Sequence, residues 1–338
     1  MRRLFTALAL ALVATLVAAP VQAAKKVTIK LGTMAPDGSA WHNLLKEMGE
    51  KWSEASNGQV KLKVYPGGVA GNEGDMVRKL RVGQLQAAAL TVVGLHDIET
   101  SPQAIATPGL IANDEEWNHV FAKMAPLWES RFAEKGFIPL MWGDTGWIYL
   151  FLKKEAKSVA DLKGTKVFAW AGDNDSVKGW VAAGFQPVVI SSTDILPSLT
   201  TGMIEGYANT PIMAFTARWY EQTPYMIKHS WGHLPGGTIV SKQAWEKIPE
   251  DVRPKLLAIA REYGEKVNRE VNRMQAESIA EMQKQGLKLI TFEPADQKLF
   301  VEMAEKTWPM VRGGVCTAEA FDEVKRVRDE FRASKGKQ

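Results

Sequence analysis

Two hydrophobic periods take turns along this chain, and that alternation constrains its fold more than any other feature. Val27–Thr33 (VTIKLGT) alternates apolar with polar residues, as a half-buried strand does. Residues 41–56 then place Trp41, Leu44, Leu45, Met48 and Trp52 on one helical face, and Asn57-Gly58 stops that helix. Val60–Tyr65 (VKLKVY) returns to the strand period. Strand–helix–strand order repeated in this way predicts an α/β protein with largely parallel sheets. Further strands are expected at 87–92, 137–142, 147–152, 166–169, 187–189, 238–241 and 287–292. Further helices are expected at 75–82, 115–134, 176–183, 194–201 and 212–222. The longest helical pattern runs over 249–285, with Pro254 tolerated in its first turns and Gly286 closing it. At 1.5 Å per residue it reaches about 50 Å, more than one small domain, so it is expected to tie two domains together. The tail, 294–312 and 318–333, reads as two more helices.

The N-terminus reads as an export signal. Arg2 and Arg3 precede an uncharged apolar run from Leu4 to Ala19, then Pro20 and the small-residue site Val21-Gln22-Ala23. The run is short for a bilayer span of about 20 residues, so cleavage is expected, with the mature chain starting near Ala24. No cysteine stands near that site to carry a lipid, and no later segment is long and apolar enough to cross a membrane. Losing Arg2 and Arg3 lowers the formal charge from +4 to +2, which leaves no basic footprint for nucleic acid. Cys316 is the one cysteine, so no intramolecular disulfide forms. Export without disulfides, in a chain long enough for two ordinary domains, fits a bacterial periplasm. Cys316 reads as a small buried hydrophobe and not as a nucleophile.

Tests for catalysis come back empty. The glycine-rich stretch 65–75 (YPGGVAGNEGD) lacks the Gly-Lys-Ser/Thr ending of a phosphate loop and reads as a turn into a helix. His229 and His233 sit four apart, but Gly232, Pro235, Gly236 and Gly237 argue against a helix there, and nothing nearby completes a metal site. There is no Gly-x-Ser-x-Gly elbow. No catalytic set and no cofactor site is expected. The 12 tryptophans are more informative, because Trp142, Trp147, Trp170 and Trp231 fall in loops or at strand ends, where open α/β sheets bind ligands. For any single tryptophan, core packing is the commoner fate.

The ordered segments of the chain resemble the DctP-type binding proteins of tripartite ATP-independent periplasmic (TRAP) transporters. The segments that carry the resemblance are GTMAPDGSAWHN at 32–43, NGQVKLKVYPGGVAGNEGDMVRKLRVGQL at 57–85, SVADLKGTKV at 158–167, GMIEGYANTP at 202–211 and VSKQAWEKIPEDVR at 240–253. The resemblance implies a two-domain periplasmic binding protein (type II-like) with a cleft, hinge strands and a long domain-spanning helix. Domain I is then expected over 24–146 plus 238–270, and domain II over 147–237 plus 271–338. The implied partners are a small-molecule ligand and two TRAP membrane subunits driven by an ion gradient. Some similar systems add a periplasmic helical-repeat protein to handle apolar ligands. A bilobal binding protein for an ATP-driven transporter or a sensor is the alternative within the same architecture.

Two departures from the family pattern bear on cargo. Members resembling this chain bind a carboxylate through an arginine after the DLKGTKV segment, where this chain has Phe168, and through a second where it has Ile148. Neither replacement makes a bidentate guanidinium–carboxylate pair. By family position Met34, Val92, Leu95, Ile148 and Phe168 are expected to face the cleft, with Trp147, Trp170, Met213 and Trp231 around them. Asn209 matches a family asparagine that hydrogen-bonds ligand, and Asp144 adds a second polar group. Such a lining points to a largely apolar or aromatic ligand, because desolvating a dicarboxylate there is costly. The alternative is a carboxylate met by a displaced arginine such as Arg218.

Overall fold

The computed structural model describes residues 26–171 and 174–336, so the expected export signal lies outside the described residues. The first part of the chain runs β1 (Val27–Thr33), α1 (Ala40–Ala55), β2 (Val60–Tyr65), α2 (Glu73–Arg81), β3 (Ala87–Thr91), α3 (Val92–His96), α4 (Asp114–Glu134) and β4 (Phe137–Leu152). The middle part runs β5 (Lys166–Trp170), α5 (Asn174–Ala182), β6 (Gln186–Ile190), α6 (Ile195–Thr201), β7 (Gly206–Asn209), α7 (Pro211–Thr216) and β8 (Tyr225–Ile227). The last part runs β9 (Gly232–Ser241), α8 (Lys242–Trp245), α9 (Arg253–Lys284), β10 (Lys288–Ile290), α10 (Pro294–Glu305), α11 (Trp308–Val311) and α12 (Ala318–Lys335).

The strands form one hydrogen-bonded path, β2-β1-β3-β9-β4-β7-β5-β6, with β8 beside β4 and β10 beside β8. Parallel pairing occurs in two blocks, β2-β1-β3 and β7-β5-β6, as the strand–helix alternation predicts. Between them run β9 and β4, antiparallel to each other and to their neighbours. β4 is one strand of 16 residues, where the sequence reading had two separated by Gly143–Gly146. Its early residues pair with β9, and Tyr149–Leu152 pair with β7. The register slips between Asp144 and Trp147, so the glycines mark a bulge inside a strand and not its end.

β9 begins six residues earlier than expected, at Gly232. GHLPGG carries turn residues, yet each is buried: the stretch pairs with β4, and Gly236 and Gly237 also pair with β3. A Cβ on Gly236 would come within 2.7 Å of the Leu90 carbonyl oxygen, so the glycine is there for close strand approach. The helix expected over 212–222 is broken: α7 ends at Thr216, and Arg218 takes a left-handed φ of 57°. β7 and β8 are short strands with no clear period in sequence.

Among the described residues five apolar cores hold these layers together, and α9 joins two of them. Leu256 and Ala260 at its start pack with α1, β1 and β4, and Trp52 Nε1 donates to the Leu256 carbonyl at 2.9 Å. Met282 at its end packs with Phe151, Phe168 and Tyr207. On the same helix Ile279 packs against that core, and Met274 faces a cavity. The domain division expected from sequence places 271–338 with the second domain. Phe321, Val324 and Val327 of α12 nevertheless pack with Trp117, Val120 and Met124 of α4, because the apolar stripe of α12 meets the stripe of α4. Cys316 lies in the same core, and burial pushes its thiol up to about 12.

Candidate ligand-binding site

A cavity of about 830 Å³ opens where the C-terminal ends of both parallel blocks meet. Residues at or just after the ends of β1 and β3 line one side: Thr33, Met34, Leu90 and Thr91. Those at or just after the ends of β5, β6 and β7 line the other: Trp170, Ser192, Asn209 and Thr210. Gly143 and Thr145 of β4 and Gly236 and Gly237 of β9 form the floor. Carboxyl ends of parallel strands are where α/β sheets receive ligands, because the following loops diverge there.

Each block presents its polar groups through a helix cap. Asn209 is buried at the end of β7, where its Oδ1 accepts the Thr210 N–H at 2.8 Å. That contact orients the side-chain amide so that its NH₂ has no partner among the described residues. The Thr210 hydroxyl caps α7 by accepting the Met213 N–H, which leaves its own proton to donate. Ser39 caps α1 in the same way by accepting the His42 N–H. Ser192 is buried, and its hydroxyl has no partner among the described residues. Across the cavity, Glu73 accepts the Thr91 N–H and hydroxyl, both at 2.8 Å. Burial raises its carboxyl above the usual range, although the backbone and hydroxyl of Thr91 pull the other way.

Charge in the lining is sparse and already balanced. Among the described residues its charged members are Arg273, Glu73, Glu277 and Glu281. Arg273 is 61% exposed and held by Glu270 and Glu277, while Glu281 pairs with Lys284. Arg218, the displaced arginine considered from sequence, is 73% exposed, pairs with Glu221 and does not line the cavity.

Of the residues expected at the site, the structure brings Met34, Trp170, Asn209 and Met213 to the cavity. The others lie beneath it or in cores. Phe168 is covered by Trp170, two residues further along the same face of β5, with the rings edge-on at 5.1 Å. Trp231 stacks on Trp180 at 5.3 Å, inside a core against which Ile148 packs. Trp147 packs beside α4 and donates to Asp114 at 2.6 Å. Leu95 is in a core, and Val92 is buried at the start of α3.

Asp144 sits behind the floor with its carboxylate accepting the Gly146 N–H at 2.7 Å and 3.4 Å from His233 Nε2. Burial pushes this carboxyl up to about 7 and the His233 imidazole down to about 3. His233 lies flat on Trp117 with ring centroids 3.7 Å apart, whereas His229 packs near Phe300, so the two histidines share no site.

Several lining residues escaped the sequence reading. Trp41 was counted in the core stripe of α1, but it stands in its first turn, lining the cavity and packing over Gly143. Thr91 ends β3, and Ser192 and Thr210 follow the ends of β6 and β7; that position was the signal that could have found them.

The DctP family model, described as bacterial extracellular solute-binding protein, family 7, matches residues 31–312. The C4-dicarboxylate-binding periplasmic protein DctP of Rhodobacter capsulatus is 25% identical, over 79% of this chain and 80% of that protein. A TRAP periplasmic solute-binding protein of Pseudomonas putida F1 with bound D-glucuronate superposes with a TM-score of 0.80 at 22% identity, covering 89% of this chain and 96% of that one. Another from Desulfovibrio salexigens, with bound orotic acid, gives 0.81 at 18% identity over 91% and 99%. With a profile match across most of its length and the two-block fold of those structures, this chain belongs to the DctP family of TRAP solute-binding proteins, which are ligand-binding transport components and not enzymes.

Proposed function

We propose that this protein captures an organic acid in the periplasm, by way of neutral donors, and presents it to TRAP membrane subunits. The observation that carries the reading is the donor pair at the end of β7: the Asn209 amide and the Thr210 hydroxyl, neither of them given to a protein acceptor among the described residues. Hydrogen bonds to a charged group contribute about 1.5–3 kcal/mol each. Two such donors offset the several-kcal/mol cost of bringing one carboxylate out of water, but not of bringing out two. The relatives with printed ligands hold acids, which supports a carboxylate over a wholly apolar cargo. Met34, Met213, Trp41 and Trp170 favour an apolar body behind that carboxylate.

Native mass spectrometry of the purified mature protein tests this, followed by identification of the released compound. An organic acid carrying one carboxylate is expected. Recovery of an amine or a neutral sugar would contradict the proposal.

A further inference from the structure

We infer that the cargo class is broad: monocarboxylic acids with a bulky hydrocarbon body, ranked by the apolar area they bury and not by one outline. This rests on the organic-acid reading and deepens it. Size is the first constraint. At about 30 Å³ per water in the liquid, the cavity of about 830 Å³ holds roughly 28 waters. A four-carbon acid, with about six to eight heavy atoms each the size of a water, leaves roughly two-thirds or more of that space wet. Water against Met34, Trp41, Trp170 and Met213 is the state that the hydrophobic effect disfavours, so a body that displaces it gains affinity with every methylene.

The hydroxyls in the wall do not call for polar cargo. Thr91 gives its proton to Glu73, Thr145 to the Leu234 carbonyl, Thr216 to the Ile212 carbonyl and Ser278 to the Met274 carbonyl. A polyhydroxylated body would lose its water shell there and find those donors taken. By contrast, the Asn209 amide and the Thr210 hydroxyl have no protein acceptor among the described residues, so the carboxylate belongs at the end of β7. Met213 adjoins that anchor, since its N–H donates to the Thr210 hydroxyl oxygen. Trp170 adjoins it from the next strand, because Val167 pairs with Gly206 and so brings Trp170 level with Asn209. The body therefore starts against an indole and a thioether.

Tolerance of shape comes from the methionines. Four elements each bring one to the lining: Met34 after β1, Met141 of β4, Met213 of α7 and Met274 of α9. Met141 is buried in the floor, and the other three are half-buried. An unbranched thioether side chain with three rotatable bonds refits to the body it meets, where a β-branched residue is held to one rotamer.

Calorimetric titration of ligand-stripped, refolded protein with butanoate, hexanoate, octanoate, 2-propylpentanoate, cyclohexylacetate and D-glucuronate tests the inference. Affinity is expected to rise about fourfold per methylene from butanoate to octanoate, with D-glucuronate weaker than hexanoate. The three eight-carbon acids should bind within about fivefold of one another. Met34→Ile combined with Met213→Ile nearly keeps the volume but stiffens both walls, and should widen that spread beyond about tenfold. The spread is a ratio among ligands on one folded protein, so a general loss of stability does not mimic it. Tighter binding of butanoate or D-glucuronate than of octanoate overturns the inference and leaves the organic-acid reading standing. A wider spread in the parent overturns the tolerance of shape, and an unwidened spread in the double variant overturns its assignment to the methionines. Binding of none of the six acids sinks the organic-acid reading itself.

Discussion

Asp144 and His233 form a buried pair whose protons nearly cancel, and a single substitution unmasks each half. In the unfolded chain between about pH 4 and 6.5 the histidine holds the proton and the aspartate does not. In the folded protein the aspartate, pushed up to about 7, holds it, and the histidine, pushed down to about 3, does not. The pair therefore binds one proton in either state, and its net effect on stability is flat across that window. The groups around it are Asp114 of α4, whose charge raises Asp144 further, and Asn268 of α9, whose Oδ1 accepts the Asp144 N–H at 2.7 Å. Asp144→Asn removes the group that loses stability as pH rises from about 4 to 7. Its stability relative to the parent should rise with pH by up to about 1.4 kcal/mol per unit. His233→Gln should show the opposite slope between about pH 3 and 6.5. Denaturant melts of the three proteins at pH 4, 5, 6 and 7 check both signs, and parallel curves would disprove the exchange. None of this was legible in sequence, where Asp144 read as a cleft residue and His233 as half of a weak metal motif. Only the bulge in β4 and the fold of β9 bring the two side chains together behind the floor.

At the scale of elements, periodicity located most helices and the parallel strands, because each buries one face in a local pattern. It failed where a tertiary contact overrides local preference. β4 reads as two strands because Gly143 to Gly146 look like a turn, and the start of β9 reads as a loop for the same reason. Both are strands because each supplies the other's hydrogen bonds and because β3 closes on Gly236 of β9 with no room for a Cβ. The cleft residues were misplaced by the same blindness: Phe168 lies on the expected strand face, but Trp170 above it takes the cavity. α9 illustrates the contact most open to test. A Cβ on Gly264 would sit 2.6 Å from the Trp142 carbonyl oxygen and 3.0 Å from the Met141 side chain. Gly264→Ala should therefore cost about 1–3 kcal/mol by pushing α9 off β4, despite alanine's better helix propensity. Equilibrium urea unfolding measures it, and a stabilised variant would show that α9 has slack against β4.

For the whole molecule, the path of β4, β9 and α9 matters most: β9 joins β3 to β4, β4 runs on to β7, α9 packs into a core at each end, and the cavity lies between the two parallel blocks. A ligand held by donors on one block and by Met34 and Trp41 on the other gains affinity only when both engage it, which is the logic of a clamp. The central claim is that neutral groups at the end of β7, and not an arginine, hold the acid. Calorimetric titration of the recovered organic acid into the parent protein, Asn209→Leu and Arg273→Ala tests it most directly. Loss of the amide should weaken binding by at least about tenfold, because a charged hydrogen bond goes with it. Loss of the exposed, glutamate-paired arginine should change affinity by less than about threefold. A cavity that tolerates Asn209→Leu but fails without Arg273 would contradict the account.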